Sequence, residues 1–343
     1  MFVSTFFSLF FSVAIVAAVG AIPNYERMFN DWVSQYHVRF RDTTHREYTF
    51  RNWVSNHLFI ERANADNRPF VLGHNQFSGM NSTEFVQWVR GGVDLANVEF
   101  FRIGSFYVES SNYFAGVPGA IDWTTKGAVT PVKDQGQCGS CWSFSTTGAL
   151  EGAFAIKTGS LASFSEQQLV DCDTLGNGGR DHGCGGGLMD NAFNWIMKNN
   201  GLCSEYDYPY VSGTTMKSGT CNTGCRNVAG SDILKYVDVE PNSDLAMMTA
   251  VAQQPVSVAI EADQREFQLY KSGVFTGTCG TNLDHGVLVV GYGTESGVDY
   301  YKIKNSWSSS WGEGGYIRIG RGTKYNGGQG QCGVLMQASY PVV

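Results

Sequence analysis

QGQCGSCWSF, residues 135–144, sets two cysteines three positions apart among glycines, just ahead of an aromatic pair. Three chemistries fit that spacing: a redox couple, half of a metal site, or one bridged cysteine beside one kept free as a nucleophile. The residues that follow bear on the choice. Residues 140–157 read as a helix, and Trp142, Phe144, Ala149, Leu150 and Phe154 give it the apolar character of a buried central element. Cys141 then stands at the start of that helix, where unpaired amides and the positive dipole end favour thiolate over thiol.

The chain around this stretch has 343 residues, 43% of them hydrophobic, which is enough to bury a substantial core. Its net charge of -7 and lack of any basic run argue against nucleic acid as a partner. Residues 1–20, MFVSTFFSLFFSVAIVAAVG, carry no charge and end in the small residues that a signal peptidase cuts, so they read as a secretory signal. The competing reading is a membrane anchor, because the stretch approaches the length that spans a bilayer and lacks a basic start. No later segment reaches about 18 uncharged apolar residues, so the remainder is expected to be soluble. In an oxidising compartment the nine cysteines should pair, and an odd count leaves one thiol free.

All nine cysteines fall between 138 and 332. The cysteine-free part carries the amphipathic stretch EYTFRNWVSNHLFIERAN, with Trp53, Phe59 and Ile60 on its apolar side, and ends in the linker-like ESSNYFAGVPGAIDW. This boundary predicts a propeptide over 21–116 and a disulfide-bonded body over 117–343. In the body, Ser165 looks like the cap of a helix in SFSEQQLVDC, and LMDNAFNWIMKNNG reads as a helix closed by Gly201. PVSVAIEA, HGVLVVGYG, DYYKIKNSW and GYIRIGRG are short, β-branched and separated by glycine, as in an antiparallel sheet or barrel. A helical half before a β half predicts an α+β fold with its site in the cleft between them.

A nucleophilic Cys141 needs an imidazole, a group to hold it, and donors for an oxyanion. His37, His45, His57 and His74 lie in the expected propeptide; His182, in RDHGCGGG, reads as a solvated loop residue. His285 opens an apolar β segment, which would place its ring rigidly. Asn305 in KNSW can accept from one ring nitrogen and leave the other for sulfur, with Trp307 shielding that bond. Gln135 can add its side-chain amide to the Cys141 N–H as an oxyanion hole.

These segments resemble the papain family of cysteine peptidases, and within it the cathepsin L-like branch. Cys138-Gly139-Ser140-Cys141-Trp142 matches the family's C-G-[SA]-C-[WY] signature. PVKDQGQCGSCWSFS, EQQLVDC, CGGGLMD, DHGVLVVGYG, KNSW, WGEGGYIRI and ASYPVV follow in the family's order across nearly the whole body. The resemblance implies a two-lobed fold, a helical lobe whose central helix carries the nucleophile and an antiparallel β-barrel lobe, preceded by a helical propeptide. It implies Cys141 as nucleophile, His285 as base and acid, Asn305 as orienting residue and Gln135 as oxyanion donor. Gly139, Gly186 and Gly187 would face an extended substrate. Leu188, Met189, Ala259, Leu283 and Gln337 would line the pocket for the second residue before the scissile bond, Asp284 would also contact substrate, and Trp307 would border the leaving-group side. That pocket is mostly apolar, with Gln337 and no carboxylate at its floor, so Leu or Phe is favoured over a basic residue. No occluding insertion is apparent, which favours endopeptidase action on protein and peptide substrates. The resemblance implies disulfides Cys138–Cys184, Cys172–Cys221 and Cys279–Cys332; arithmetic leaves Cys203–Cys225, with Cys221 an alternative partner for either. The propeptide would be the enzyme's own inhibitor, cystatin-like proteins further inhibitors, and the mature enzyme a monomer that needs no cofactor or metal. Its place would be the secretory pathway, then lysosome, vacuole or outside the cell.

The propeptide departs from the family. Trp53, Asn56, Ile60 and Asn64 follow the later half of its interspersed ERFNIN motif, but His45 and Thr49 stand where its Glu and Arg would be, with Glu47 and Arg51 shifted by two. GHNQFSG resembles the GxNxFxD segment with Gly79 in place of the acid, which bears on how firmly the propeptide folds and how acid releases it. Ser308 replaces the usual Gly after NSW. Asn81, in the chain's one N-x-S/T sequon, would carry a glycan on the zymogen alone. Competing readings are a Cys138/Cys141 oxidoreductase, a zinc site from Cys221, Cys225 and His182, and a binding-only homologue without turnover.

Overall fold

A computed structural model of the protein describes residues 24–90, 105–106 and 116–343. The expected signal and residues 109–115 of the expected linker lie outside the described residues. The amino-terminal part opens with helices α1 (Tyr25–Gln35) and α2 (Thr43–Ala65), started by Asn24 and Asp42, whose side chains accept the N–H groups of Arg27 and His45. They close on a small core of Phe29, Trp32 and Trp53. A strand β1 (Phe70–Leu72) and helix α3 (Ser82–Val89) follow. The α3 start is a capping box: Asn81 accepts from the Glu84 N–H, and the Glu84 carboxylate accepts the Asn81 N–H. Asn81 also donates Nδ2 to the Tyr48 hydroxyl at 2.7 Å, so the nitrogen a glycan would need is engaged in the folded chain.

After strands β2 (Ser105–Phe106) and β3 (Ile121–Asp122) comes a helical lobe of α4 (Cys141–Thr158), α5 (Glu166–Cys172), α6 (Met189–Asn199) and the single turn α7 (Ser212–Thr215). α4 is buried from Trp142 to Ala155, because α5 and α6 cover one side and the sheet covers the other. Two glycines permit that approach: a Cβ on Gly148 would come within 2.8 Å of Leu288, and one on Gly152 within 2.5 Å of Pro255. Ser165 caps α5 by accepting the Gln168 N–H. α6 ends one residue earlier than expected, since Asn200 takes the left-handed conformation (φ 55°) before Gly201 (φ 109°).

The second lobe holds β4 (Lys235–Asp238), α8 (Asp244–Gln253), β5 (Val256–Ile260), α9 (Arg265–Gln268), β6 (Tyr270–Phe275), β7 (His285–Glu295), β8 (Val298–Lys304), β9 (Tyr316–Gly320) and β10 (Ala338–Val342). The sheet runs β1-β6-β9-β8-β7-β5-β10-β4-β2, with β3 pairing off this path on β7. The pairing expected as a barrel is antiparallel at its centre, but its ladder is an open path, with β6–β9 and β2–β4 parallel. β7 lies mid-sheet under α4, which is why HGVLVVGYG is apolar on both faces and buried over its first nine residues. The strand that completes the sheet at one end, β1, comes from the amino-terminal part and pairs Phe70 with Gly273.

Four disulfides form among the described residues: Cys138–Cys184, Cys172–Cys221, Cys203–Cys225 and Cys279–Cys332. Cys141 is free. Cys138 is therefore bonded away from Cys141, and Cys221 and Cys225 are both consumed by bridges, which removes the dithiol and zinc readings.

Candidate active site

Cys141 is the first residue of α4, and His285 is the first of β7. The two starts abut: a Cβ on Gly286 would lie 3.3 Å from the Trp142 backbone, and the amides of Gly286, Trp142 and Cys141 itself point at the sulfur. These amides favour thiolate, as the helix start predicts. Burial opposes them and wins here, pushing the thiol up to about 11. Burial likewise holds His285 down to about 4, against a hydrogen bond to Asn305 that favours its charged form. In this form of the chain burial favours a neutral thiol at Cys141 and a neutral imidazole at His285.

The bond between His285 Nε2 and Asn305 Oδ1 is 2.8 Å long, and its direction follows from a second contact. Asn305 Oδ1 also accepts the Ser306 N–H at 2.8 Å, so that atom is the carbonyl oxygen. Nε2 must then carry the proton, and Nδ1 of the neutral ring keeps a lone pair. Nδ1 is buried without a hydrogen-bond partner. Trp307 stacks on the ring, with centroids 4.7 Å apart and planes at 26°, and shields this bond. Ser306, which sequence reasoning passed over, does double duty. Its hydroxyl donates to Gln135 Oε1 at 2.6 Å, fixing the Gln135 amide so that Nε2 donates one hydrogen to the Cys138 carbonyl at 3.0 Å. A side-chain amide nitrogen carries two hydrogens, so Nε2 retains a second one beyond that bond. The only signal for Ser306 was its place inside KNSW.

Gly139 meets the opposing loop through its N–H on the Cys184 carbonyl at 3.0 Å. Gly186 has φ 101°, and a Cβ on Gly187 would strike the Trp142 ring at 2.6 Å, so this rim tolerates only glycine. Met189 and Ala259 are buried in the helical-lobe core, and Leu283 packs against it. Leu188, Met189 and Gln337 also line a cleft with Val239, Pro241 and Met336. Asp190 and Asp238 also line that cleft, beside the Gln337 expected at its floor; Asp190 accepts the Ser339 hydroxyl at 2.6 Å. Asp284 is buried against Asp263 and Glu261, and burial first, then their charges, push its carboxyl up to about 8. His182 is exposed in its turn, as expected.

A papain family cysteine protease model matches residues 117–342, and a cathepsin propeptide inhibitor model matches residues 29–85. The chain belongs to the papain family of cysteine proteases. Vignain of Ricinus communis is 44% identical over 321 residues, covering 92% of the chain and 85% of the relative. Germination-specific cysteine protease 1 of Arabidopsis thaliana is 47% identical over 301 residues, 85% of the chain and 77% of the relative. Among solved structures, a recombinant stem bromelain precursor superposes with TM-score 0.82 at 37% identity, covering 93% of this chain and 99% of that one. Digestive procathepsin L 3 of Tenebrio molitor gives 0.81 at 34%, covering 94% and 100%. The protein is thus a papain-family cysteine endopeptidase with its propeptide inhibitor domain attached.

The inhibitor domain packs on Trp307, the ring that covers His285. Phe77, Phe85 and Trp88 pack their rings on Trp307, and Gln76 donates to the Trp307 carbonyl at 2.6 Å. Asn75 donates to the Gln268 carbonyl, Arg265 to Asn56, and Arg68 pairs with Glu266. The two motif departures turn out to be one change. A Cβ on Gly79 would lie 2.6 Å from the Thr49 methyl and 2.9 Å from Trp32, so Thr49 and Trp32 fill the space an acid would need. With no guanidinium at 49 there is no partner to miss, and the domain retains a packed core. The shifted Glu47 and Arg51 approach only to 3.9 Å on the surface.

Proposed function

We propose that the mature enzyme cleaves peptide bonds through a thioester at Cys141. In the opened site Cys141 and His285 exchange a proton to give thiolate and imidazolium, and sulfur attacks the carbonyl carbon. The oxyanion takes hydrogen bonds from the Cys141 N–H and the free hydrogen of Gln135 Nε2. The C–N bond breaks as His285 Nδ1 gives its proton to the leaving amine. Water, deprotonated by Nδ1, then attacks the thioester; the C–S bond breaks and the acid leaves. The observation that carries this reading is the bare, buried Nδ1 of His285, held at the base of the Cys141 helix by the fixed Asn305 amide.

The second substrate residue before the bond would enter beside Leu188, Met189, Ala259 and Leu283, with Leu or Phe preferred. Each buried methylene contributes about 1 kcal/mol or a little more, so that preference is broad. The leaving side runs past Trp307. Release of residues up to about 116 would leave a monomeric mature enzyme open to cystatin-like inhibitors. Four disulfides suit folding in the secretory pathway, and the vacuole, lysosome or exterior suits its work. The test is hydrolysis of a Phe-Arg fluorogenic peptide by the acid-processed chain, with and without an epoxide thiol trap. Activity that the trap abolishes and Cys141→Ala lacks, with folding retained, supports the mechanism. A Cys141→Ala chain as active as wild type sinks it.

A further inference from the structure

We propose that Asp263 makes the leaving-group side of the cleft select a basic side chain immediately after the scissile bond. The proposal rests on Cys141 and His285 being the reacting pair. Asp263 lies just beyond β5 and is tied to the strand that presents the base: the Ala262 N–H donates to Asp284 Oδ1 at 2.8 Å, and the Asp284 N–H donates to the Ile260 carbonyl at 2.9 Å. Asp284 directly precedes His285. Three carboxylates therefore gather at the foot of the base, and their oxygens are not equally occupied. Glu261 is fully used, accepting the N–H groups of Gly280 and Asn282 and the Gln264 amide. Asp263 Oδ1 accepts from Gln264 at 2.8 Å. Asp284 Oδ2 is buried without a hydrogen-bond partner.

Asp263 Oδ2 takes a guanidinium, that of Arg90, at 3.0 Å. Arg90 is the C-cap of α3, and it belongs to the segment that processing removes. Trp88, two residues earlier, stacks edge-on against Trp307 at 5.2 Å, and Trp307 covers the His285 ring. Arg90 thus reaches Asp263 from the helix whose Trp88 packs on Trp307, the residue the leaving side is proposed to run past. In the zymogen a cationic side chain already occupies this position. Once it leaves, Asp263 Oδ2 loses its ion pair while Asp284 and Glu261 remain behind it. A substrate Arg or Lys can take over the Arg90 contact, whereas a Glu would be set against the Asp263 carboxylate.

The experiment uses the acid-processed enzyme and three internally quenched peptides with Phe at the second position before the bond and Arg, Ala or Glu directly after it. Wild type should cleave the Arg peptide with a kcat/KM about fivefold above the Ala peptide, and the Glu peptide more slowly still. In Asp263→Asn the Arg-to-Ala ratio should fall to about one, and in Asp263→Lys the Glu peptide should become the preferred one. Because each ratio is taken on one preparation, a variant that folds poorly still reports. Raising the salt should shrink the wild-type ratio. Equal cleavage of all three by wild type, or a ratio unchanged in Asp263→Asn, overturns the proposal while leaving the peptidase intact. If wild type hydrolyses none of the three, the assignment of Cys141 and His285 fails first, and this proposal falls with it.

Discussion

Cys141 shows two physical effects opposed at one atom. A helix start and three amides favour the thiolate, but burial dominates and leaves a protonated sulfur in the zymogen. Iodoacetamide should therefore alkylate the zymogen slowly at neutral pH and react at least about tenfold faster after processing, as mass spectrometry can follow. Equal rates would mean that the sulfur is no better shielded before processing than after. Gln135 tests the oxyanion role. Gln135→Ala should lower kcat by about 10²- to 10³-fold while KM moves little, because the second Nε2 hydrogen is used only as charge develops. These residues were readable in the sequence because their chemistry names them. Ser306 was not, since its bond to Gln135 spans 171 positions that only the folded chain closes.

Among the elements, the inhibitor domain has its own pH response. His57 Nδ1 and His74 Nε2 share a hydrogen at 3.0 Å, with both rings lying flat on Trp53 at 5.1 and 4.4 Å. Glu61 stands 3.4 Å from His57 Nε2, the Tyr25 ring meets His57 edge-on, and the Tyr36 hydroxyl donates to the His74 carbonyl. Burial, then the neighbouring His57, hold His74 down to about 4 from an ordinary 6.5. The fold therefore favours neutral His74. Its stabilising contribution is complete above about pH 6.5, declines as the unfolded or undocked form binds the proton more readily, and is lost below about 4. Replacing His74 by Phe should shift the midpoint of acid-triggered processing downward by about half a pH unit or more. A midpoint that stays put assigns the trigger elsewhere. Within the same domain Phe85 is fully buried against Trp307. Phe85→Ala should weaken docking by about 3 kcal/mol and let processing begin at higher pH, read by gel.

For the molecule as a whole, the two lobes are joined by a buried charged seam. Lys133 meets Glu151 of α4 at 3.0 Å and Glu166 of α5 at 2.6 Å, while Lys304 of β8 reaches Thr130, which donates to Glu151. Glu151 and Glu166 are each only 1% exposed, so removing Lys133 leaves two carboxylates out of water with Lys304 as their one nearby cation among the described residues. Lys133→Met should cost about 3–5 kcal/mol and lower the thermal midpoint by several degrees, measured by calorimetry. The local signals of this chain sufficed for the helix at 141, the cap at Ser165, the apolar run of β7 and the odd cysteine, because each is a short-range pattern of burial or hydrogen bonding. They could not place Asn200 ahead of Gly201 in the α6 turn, since both tolerate the left-handed region. Nor could they show that Thr49 and Gly79 compensate one another, or that Arg90 reaches Asp263, 173 residues away. The residue types and their order determined the chemistry on offer. Which groups meet, and which protonation state burial imposes on them, was decided by long-range packing, because dielectric and distance are properties of the assembled fold.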